Sequence, residues 1–257
     1  MSDDLVINRL TQLRQFTPAR IALGRTGNSL RTRELLEFTT AHALARDAVH
    51  SRLDSSSINR QLKAAQLESI NVHSAAADRA TYLRRPDLGR KLDQASGNHL
   101  AGLNPAEKPE VVFIIADGLS AIAPERYAVQ VIRETIPLLS GWKIGPIIIA
   151  EQARVALGDE IGELLGAEIT VMLIGERPGL SSADSLGIYL TYAPTPGRTD
   201  AERNCVSNVR EEGTSPEQAA RTLTYLLESS RRLKLSGVPL KDESNAQPRI
   251  LPAQPPI

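Results

Sequence analysis

The stretch that most constrains this chain is residues 169–181, Ile-Thr-Val-Met-Leu-Ile-Gly-Glu-Arg-Pro-Gly-Leu-Ser. It begins as an apolar run with β-branched Ile169, Thr170, Val171 and Ile174. A run this short and apolar predicts a strand covered on both faces, as in a parallel sheet. Residues 175–179 then turn sharply. Gly175 and Gly179 let another backbone or a ligand come close. Pro178 fixes its own φ and moves Arg177 out of the helical region. Glu176 and Arg177 therefore stand at a strand's carboxyl end, where ligands bind in open α/β sheets. An ordinary turn holding a solvated Glu–Arg pair fits the same spacing.

A sheet covered on both faces needs helices between its strands, and residues 110–236 provide them. Residues 111–115 and 147–149 read as strands, separated by a helix from about Pro124 to Ile136. A helix over 159–165, closed by Gly166, precedes the strand at 169–174. Residues 187–193 alternate Ile188, Leu190 and Tyr192 as a further strand, and 205–209 is a short extended run. Ser215-Pro216-Glu217-Gln218 is a capping box that opens a helix to about Leu235. The alternation predicts an α/β chain built on a doubly wound, Rossmann-like, mainly parallel sheet. Its carboxyl-end loops would bring Asp117 and Ser120, residues 151–155, residues 175–179 and the segment near Cys205 to one rim, the default ligand site.

Residues 1–95 read as a mostly helical region, with helices over 3–15, 32–52, 58–68 and from Asp78 onward, and a short extended piece at 69–73. In the longest, Leu35, Phe38, His42, Ala45 and Val49 form one continuous stripe, and His42 reads as a packing residue within it. Gly24-Arg25-Thr26-Gly27 is a tight turn presenting Arg25, either a plain turn or a contact for a phosphate or carboxyl group. Arg79, Arg84, Arg85, Arg90 and Lys91 make the most basic part of the chain: a partner face, a phosphate site or a solvated surface. Residues 96–109 read as a linker and 237–257 as a mobile, Pro-rich tail.

Composition removes several function classes. Thirty basic residues balance thirty acidic ones, which argues against nucleic acid or an anionic membrane as the main partner. No apolar run approaches a membrane span. The N-terminal residues lack the pattern of a signal peptide, and the single cysteine, Cys205, fits a reducing cytosol. The four histidines, at 42, 50, 73 and 99, have no metal-pair spacing and all precede the α/β part, so neither a zinc site nor a Ser–His–Asp triad is expected. Gly-x-Gly-x-x-Gly after the first strand, the P-loop pattern and Asp-x-His-x-x-Gly are all missing.

Five segments occur in order: Gly24-Arg25-Thr26-Gly27, residues 82–90 (Tyr-Leu-Arg-Arg-Pro-Asp-Leu-Gly-Arg), Asp117-Gly118-Leu119-Ser120, residues 175–180 (Gly-Glu-Arg-Pro-Gly-Leu) and Cys205-Val206-Ser207-Asn208. Together they resemble the small (light) subunit of ethanolamine ammonia-lyase, over roughly residues 8–238. The resemblance implies an adenosylcobalamin-dependent lyase that converts ethanolamine to acetaldehyde and ammonia. It implies a large catalytic subunit as partner in a hetero-oligomer, with the corrinoid between the two chains. The corrinoid would keep its own benzimidazole, so this chain would supply no ligand to the cobalt. The family's cofactor contacts carry over onto Val155, Glu176 and Cys205, and no catalytic residue is assigned to this chain. The 110–236 part becomes the cobalamin-binding domain, and 1–95 the region of subunit contacts. The resemblance adds a bacterial microcompartment as a setting within the cytoplasm, though family members often carry a longer N-terminal extension to which that targeting is attributed.

Two other readings stay open on the residues alone. One is a stand-alone α/β enzyme with Asp117 and Glu176 as an acid/base pair. The other is a binding module that senses a nucleotide or corrinoid.

Overall fold

The computed structural model describes residues 9–17, 19–25, 27–103 and 108–244. The start of the helix read over 3–15, the middle of the linker and most of the tail lie outside them. The core is a six-stranded sheet in the order β1-β3-β2-β4-β5-β6. The strands are β1 (Ser69–His73), β2 (Val111–Ala116), β3 (Ile147–Glu151), β4 (Ile169–Gly175), β5 (Leu186–Tyr192) and β6 (Arg203–Val209). The first four pair in parallel, and β5 and β6 complete the sheet antiparallel. Only ten residues separate β4 from β5, and ten separate β5 from β6. That is too short for a helical crossover, so these strands return antiparallel.

The apolar runs are buried on both sides, as their composition requires. Val111, Phe113 and Ile115 of β2 join one core with α2 (Ser55–Ala64), α5 (Ile122–Thr135) and α7 (Pro216–Leu233). Val112, Ile114 and Ala116 join the other with α4 (Gln94–Leu103) and α6 (Leu157–Leu165). Each buried Val, Ile or Phe is worth roughly 1.5–3 kcal/mol, so β2 and β4, buried along their whole length, contribute to both cores. The connection from β2 to β3 runs through α5 toward the β1 edge. The connection from β3 to β4 runs through α6, back across β2. Right-handed crossovers in opposite directions must use opposite faces, and α5 and α6 do. Residues that follow β2, β3 and β4 line a cleft at the carboxyl ends of these strands.

Three sequence expectations change. The extended piece at 69–73 is a true strand, β1, so the mostly helical N-terminal stretch contributes an edge of the sheet. Residues 96–103, read as the first part of the linker, belong to α4, with Leu100 fully buried and Asp93 accepting from the Ser96 amide at 2.7 Å. One apolar anchor among Ser, Gly and Asn gives too weak a period to read. The stripe on α1 (Thr32–His50) is not a core face: only Ala48 is buried, and His42 is exposed. No helix among the described residues is long and apolar enough to cross a membrane.

Candidate functional site

The carboxyl-end rim carries a cleft of about 400 Å³, lined by Tyr82, Leu119, Arg154, Val155, Glu176 and Tyr189 among others. Its floor is two loops packed backbone to backbone. The Leu119 amide donates to Gly175 O at 2.9 Å. A Cβ on Gly175 would lie 1.9 Å from Ser120 O, and one on Gly118 would lie 2.2 Å from Gly175 O. Gly118 also stands at φ +56. Both positions therefore require glycine for the β2 and β4 loops to meet.

Beneath this floor, Asp117 is fully buried and its carboxylate is saturated. Oδ1 accepts from the amides of Gly118 and Ala153 at 2.9 and 3.0 Å. Oδ2 accepts from the Gln152 amide at 2.9 Å and from Arg79 Nη1 at 3.3 Å. Burial pushes this carboxyl's pKa up, while the three amides and Arg79 pull against it. Asp117 ties the β2 loop to the β3 loop and has no lone pair left for chemistry. Arg79, read as part of a basic surface, is 8 % exposed. It donates to Val49 O at 2.6 Å and Gly118 O at 2.8 Å, and so pins α1 and α3 (Arg79–Arg84) to the rim. Tyr82 is sandwiched between Arg79 and Arg154, whose guanidinium carbons lie 4.7 and 4.3 Å from the ring centre. Its hydroxyl donates to Ala153 O at 3.0 Å. Burial and then Asp117 raise the Tyr82 pKa, so it stays a neutral donor.

Glu176 is half-buried and held on one side only. Ser185 Oγ donates to its Oε2 at 2.5 Å, and the Asn208 amide donates to the same oxygen at 3.3 Å. Oε1 accepts no hydrogen bond among the described residues. Gly187 leaves room for it, because a Cβ there would meet Glu176 Cγ and Oε1 at 3.1 Å. Cys205 reaches the same wall through register: it pairs with Tyr189 across β5 and β6. Although the residue is exposed, desolvation of its thiol raises its pKa; a hydrogen bond with Tyr189 pulls it down and the Glu176 carboxylate adds to the rise. The Tyr189 hydroxyl is raised by burial, by Cys205 and by Glu176. Val155 sits half-buried at the start of α6, against the core of that face. The structure thus brings Val155, Glu176 and the Cys205 partner Tyr189 to one cleft. Near it, the buried Arg154 Nε and Gln152 Oε1 have no hydrogen-bond partner among the described residues.

Tyr82, the Asp117–Ser120 and Gly175–Glu176 floor, Cys205 and Asn208 lie in segments that carry the resemblance, whereas Arg79, Arg154, Val155, Ser185 and Tyr189 lie outside them. The family model for "Ethanolamine ammonia-lyase light chain (EutC)" matches residues 7–241. The chain belongs to the ethanolamine ammonia-lyase light chain family. An ethanolamine ammonia-lyase small subunit of Pseudomonas fluorescens (strain Pf0-1) is 53% identical over 244 residues, covering 93% of this chain and 89% of the relative. That of Pseudomonas paraeruginosa (strain PA7) is 54% identical over 241 residues, covering 91% and 88%. That of Bradyrhizobium diazoefficiens (strain USDA 110) is 52% identical over 249 residues, covering 95% of each.

The light-chain segments divide by task in the fold. Residues 82–90 supply Tyr82 and the turn through Gly89, whose carbonyl accepts from the Arg154 amide at 2.8 Å. Asp117–Ser120 and Gly175–Glu176 supply the floor. Asn208, at φ 57, turns its amide to Glu176. Gly24 and Gly27 have positive φ, as a tight turn needs, and Arg25 is exposed; Thr26 lies outside the described residues. Sequence reasoning missed Arg79, Arg154, Ser185 and Tyr189. The first two were legible only as charges in basic or loop segments, and the last two need strand register to place them.

Proposed function

We propose that this chain is the small subunit of an adenosylcobalamin-dependent ethanolamine ammonia-lyase, which converts ethanolamine to acetaldehyde and ammonia. One observation carries the reading: Glu176 lines the cleft, its Oε2 is fixed by Ser185 and Asn208, and its Oε1 accepts no hydrogen bond among the described residues. A carboxylate oriented on one side and open on the other is an acceptor prepared for amide or hydroxyl donors, which the periphery of a corrinoid offers. The unpartnered Arg154 Nε and Gln152 Oε1 fit such a polar rim. In this reading Val155 packs on an apolar edge of the cofactor, Glu176 accepts its hydrogen bonds, and Cys205 beside Tyr189 permits close approach. When bound, adenosylcobalamin supplies the radical that takes a hydrogen from the substrate. This chain binds, orients and covers the corrinoid, and gives no ligand to the cobalt.

Asp117 is engaged on both oxygens, which disfavours the acid/base pair with Glu176. Catalysis therefore rests with a large subunit, and the corrinoid lies at the junction of the two chains. Residues 110–236, with β1 added at the sheet's edge, form the doubly wound, Rossmann-like cofactor-binding part, a reading supported by helices on both faces of the sheet. Residues 1–95 make subunit contacts. In support, α1 exposes Leu35, Leu36, Phe38 and Leu44 by 40–62 %, more apolar surface than one solvated helix usually shows. We place the assembly in the cytoplasm, with a microcompartment as a further setting.

The test is reconstitution. The purified chain with adenosylcobalamin should form no acetaldehyde from ethanolamine, and adding the large subunit should restore turnover. Turnover by the single chain, or none by the two together, would overturn the reading.

A further inference from the structure

Between β4 and β5 the chain runs through ten residues, 176–185, and Ser185 alone among them is buried. No apolar side chain of this loop reaches the core, and Leu180 is 41 % exposed. Apolar packing therefore does little to fix its shape, and polar contacts must do so. The Glu176 amide donates to Ser185 O at 2.9 Å and closes the base of the loop. Three further bonds tie residues 183 and 184 to the β2 loop and to α5. Ser120 Oγ donates to Ala183 O at 2.7 Å. Arg126 Nη1 and the Tyr127 hydroxyl both donate to Asp184 Oδ2, at 2.6 and 3.1 Å. The Tyr127 ring packs against the core that α5 covers, so its hydroxyl is a fixed point. The Arg126 side chain is 59 % exposed, so its pairing with Asp184 counts for geometry more than for charge. The residue after this clamp is Ser185, whose hydroxyl orients Glu176.

We propose that Asp184 is a positioning residue: clamped to α5, it holds Ser185 where the serine hydroxyl can fix the Glu176 carboxylate on the cleft wall. The inference rests on the reading of Glu176 as an acceptor for the corrinoid. Asp184 does not line the cleft itself, so it acts through its neighbour. The link is one peptide long, about 3.8 Å between Cα atoms, and a shift at Asp184 reaches Ser185 almost undiminished. The bond from Ser185 to Glu176 depends steeply on distance and angle. A binding group whose supporting contacts loosen loses its productive geometry.

The experiment titrates the two-subunit complex with adenosylcobalamin and reads binding from the corrin absorbance, with a thermal melt of every protein. Asp184→Ala removes the clamp. Asp184→Asn keeps an oxygen for Arg126 and Tyr127 and removes only the charge. Each is made alone and together with Glu176→Ala. Asp184→Ala should weaken binding at least about threefold. Asp184→Asn should bind as the wild type does, and neither should weaken binding further once Glu176 is replaced. Tyr127→Phe deletes one bond of the clamp and keeps the ring against the core. It should weaken binding with the same dependence on Glu176, and it carries the test if Asp184→Ala fails to assemble. Equal affinity of the wild type and Asp184→Ala overturns the inference. So does the same loss with and without Glu176, which would make Asp184 a brace of the fold. A loss in Asp184→Asn equal to that in Asp184→Ala also overturns it, since charge and not the clamp would be the cause. Those three outcomes leave the corrinoid reading standing. Binding by Glu176→Ala as tight as the wild type's, or no uptake by the wild type, removes the reading of Glu176 and the positioning role with it.

Discussion

Replacing Asp117 with Asn tests whether the rim is built on a buried charge. The carboxylate accepts three backbone amides and one guanidinium. Asn keeps a carbonyl oxygen for Gly118 and Ala153, but its amide nitrogen then faces the Gln152 N–H and Arg79 Nη1, two donors. The Gln152 bond and the charge pair are both lost, and Arg79, 8 % exposed, keeps a charge without a counter-charge. Breaking a buried pair this way costs about 3–5 kcal/mol, a large part of the roughly 5–15 kcal/mol that holds a domain folded. Equilibrium urea unfolding, read from the single tryptophan, Trp142, measures it. Arg79→Met alone should also destabilise. Combined with Asp117→Asn, the cost should fall short of the sum by at least about 1 kcal/mol, because the pair is removed once. A loss below about 1 kcal/mol for Asp117→Asn, or strict additivity, would show that the rim does not rest on this buried charge pair.

Other outcomes follow from the same geometry. Gly118→Ala should cost more than Gly27→Ala: both stand at φ near +60, but only Gly118 meets another backbone, and thermal melts of the two variants compare them. The left-handed term alone is about 1–2 kcal/mol, so equal melts would show that the loops part easily. The Cys205 thiol should titrate above the ordinary value of about 8.5, and Glu176→Gln should lower it. Because its folded pKa is raised, the stability tied to the neutral thiol is complete below the ordinary thiol range and lost as pH climbs through the folded value. Alkylation rate against pH reads the titration, and a thiol pKa at or below the ordinary value would contradict it. Leu36→Asp with Leu44→Asp, both on the exposed side of α1, should weaken co-purification with the large subunit by tenfold or more at little cost to the fold; undiminished co-purification would return α1 to plain surface.

The central strands were legible because burial on both faces leaves an unbroken apolar run, and β2 and β4 are such runs. Glu176 was legible as a candidate because it follows one of them, and the structure places it on the cleft wall. The direction of β5 and β6 was not, since an alternating strand reads the same either way. The Arg79–Asp117 pair spans 38 residues and leaves no local signal, so Arg79 read as surface charge. The stripe on α1 was correctly seen as apolar, but periodicity reports which face is apolar and not what covers it. Tyr189 and Cys205 meet only through strand register, which no short window contains.

We propose above that Glu176 offers an open carboxylate oxygen to the cofactor, and Glu176→Gln measures whether it does. The Asn208 amide and Ser185 hydroxyl hold Oε2, so the variant must place its amide oxygen there and turn its NH₂ into the cleft. An acceptor becomes a donor, and the lost charged hydrogen bond is worth roughly 1.5–3 kcal/mol, or about ten- to a hundredfold in affinity. The measurement is an absorbance titration of the two-subunit complex with adenosylcobalamin, wild type against Glu176→Gln, with a thermal melt of each. Affinity should fall by that factor while the melt stays unchanged. Equal affinity would contradict it, and lost affinity with a collapsed melt would make Glu176 a brace for its turn.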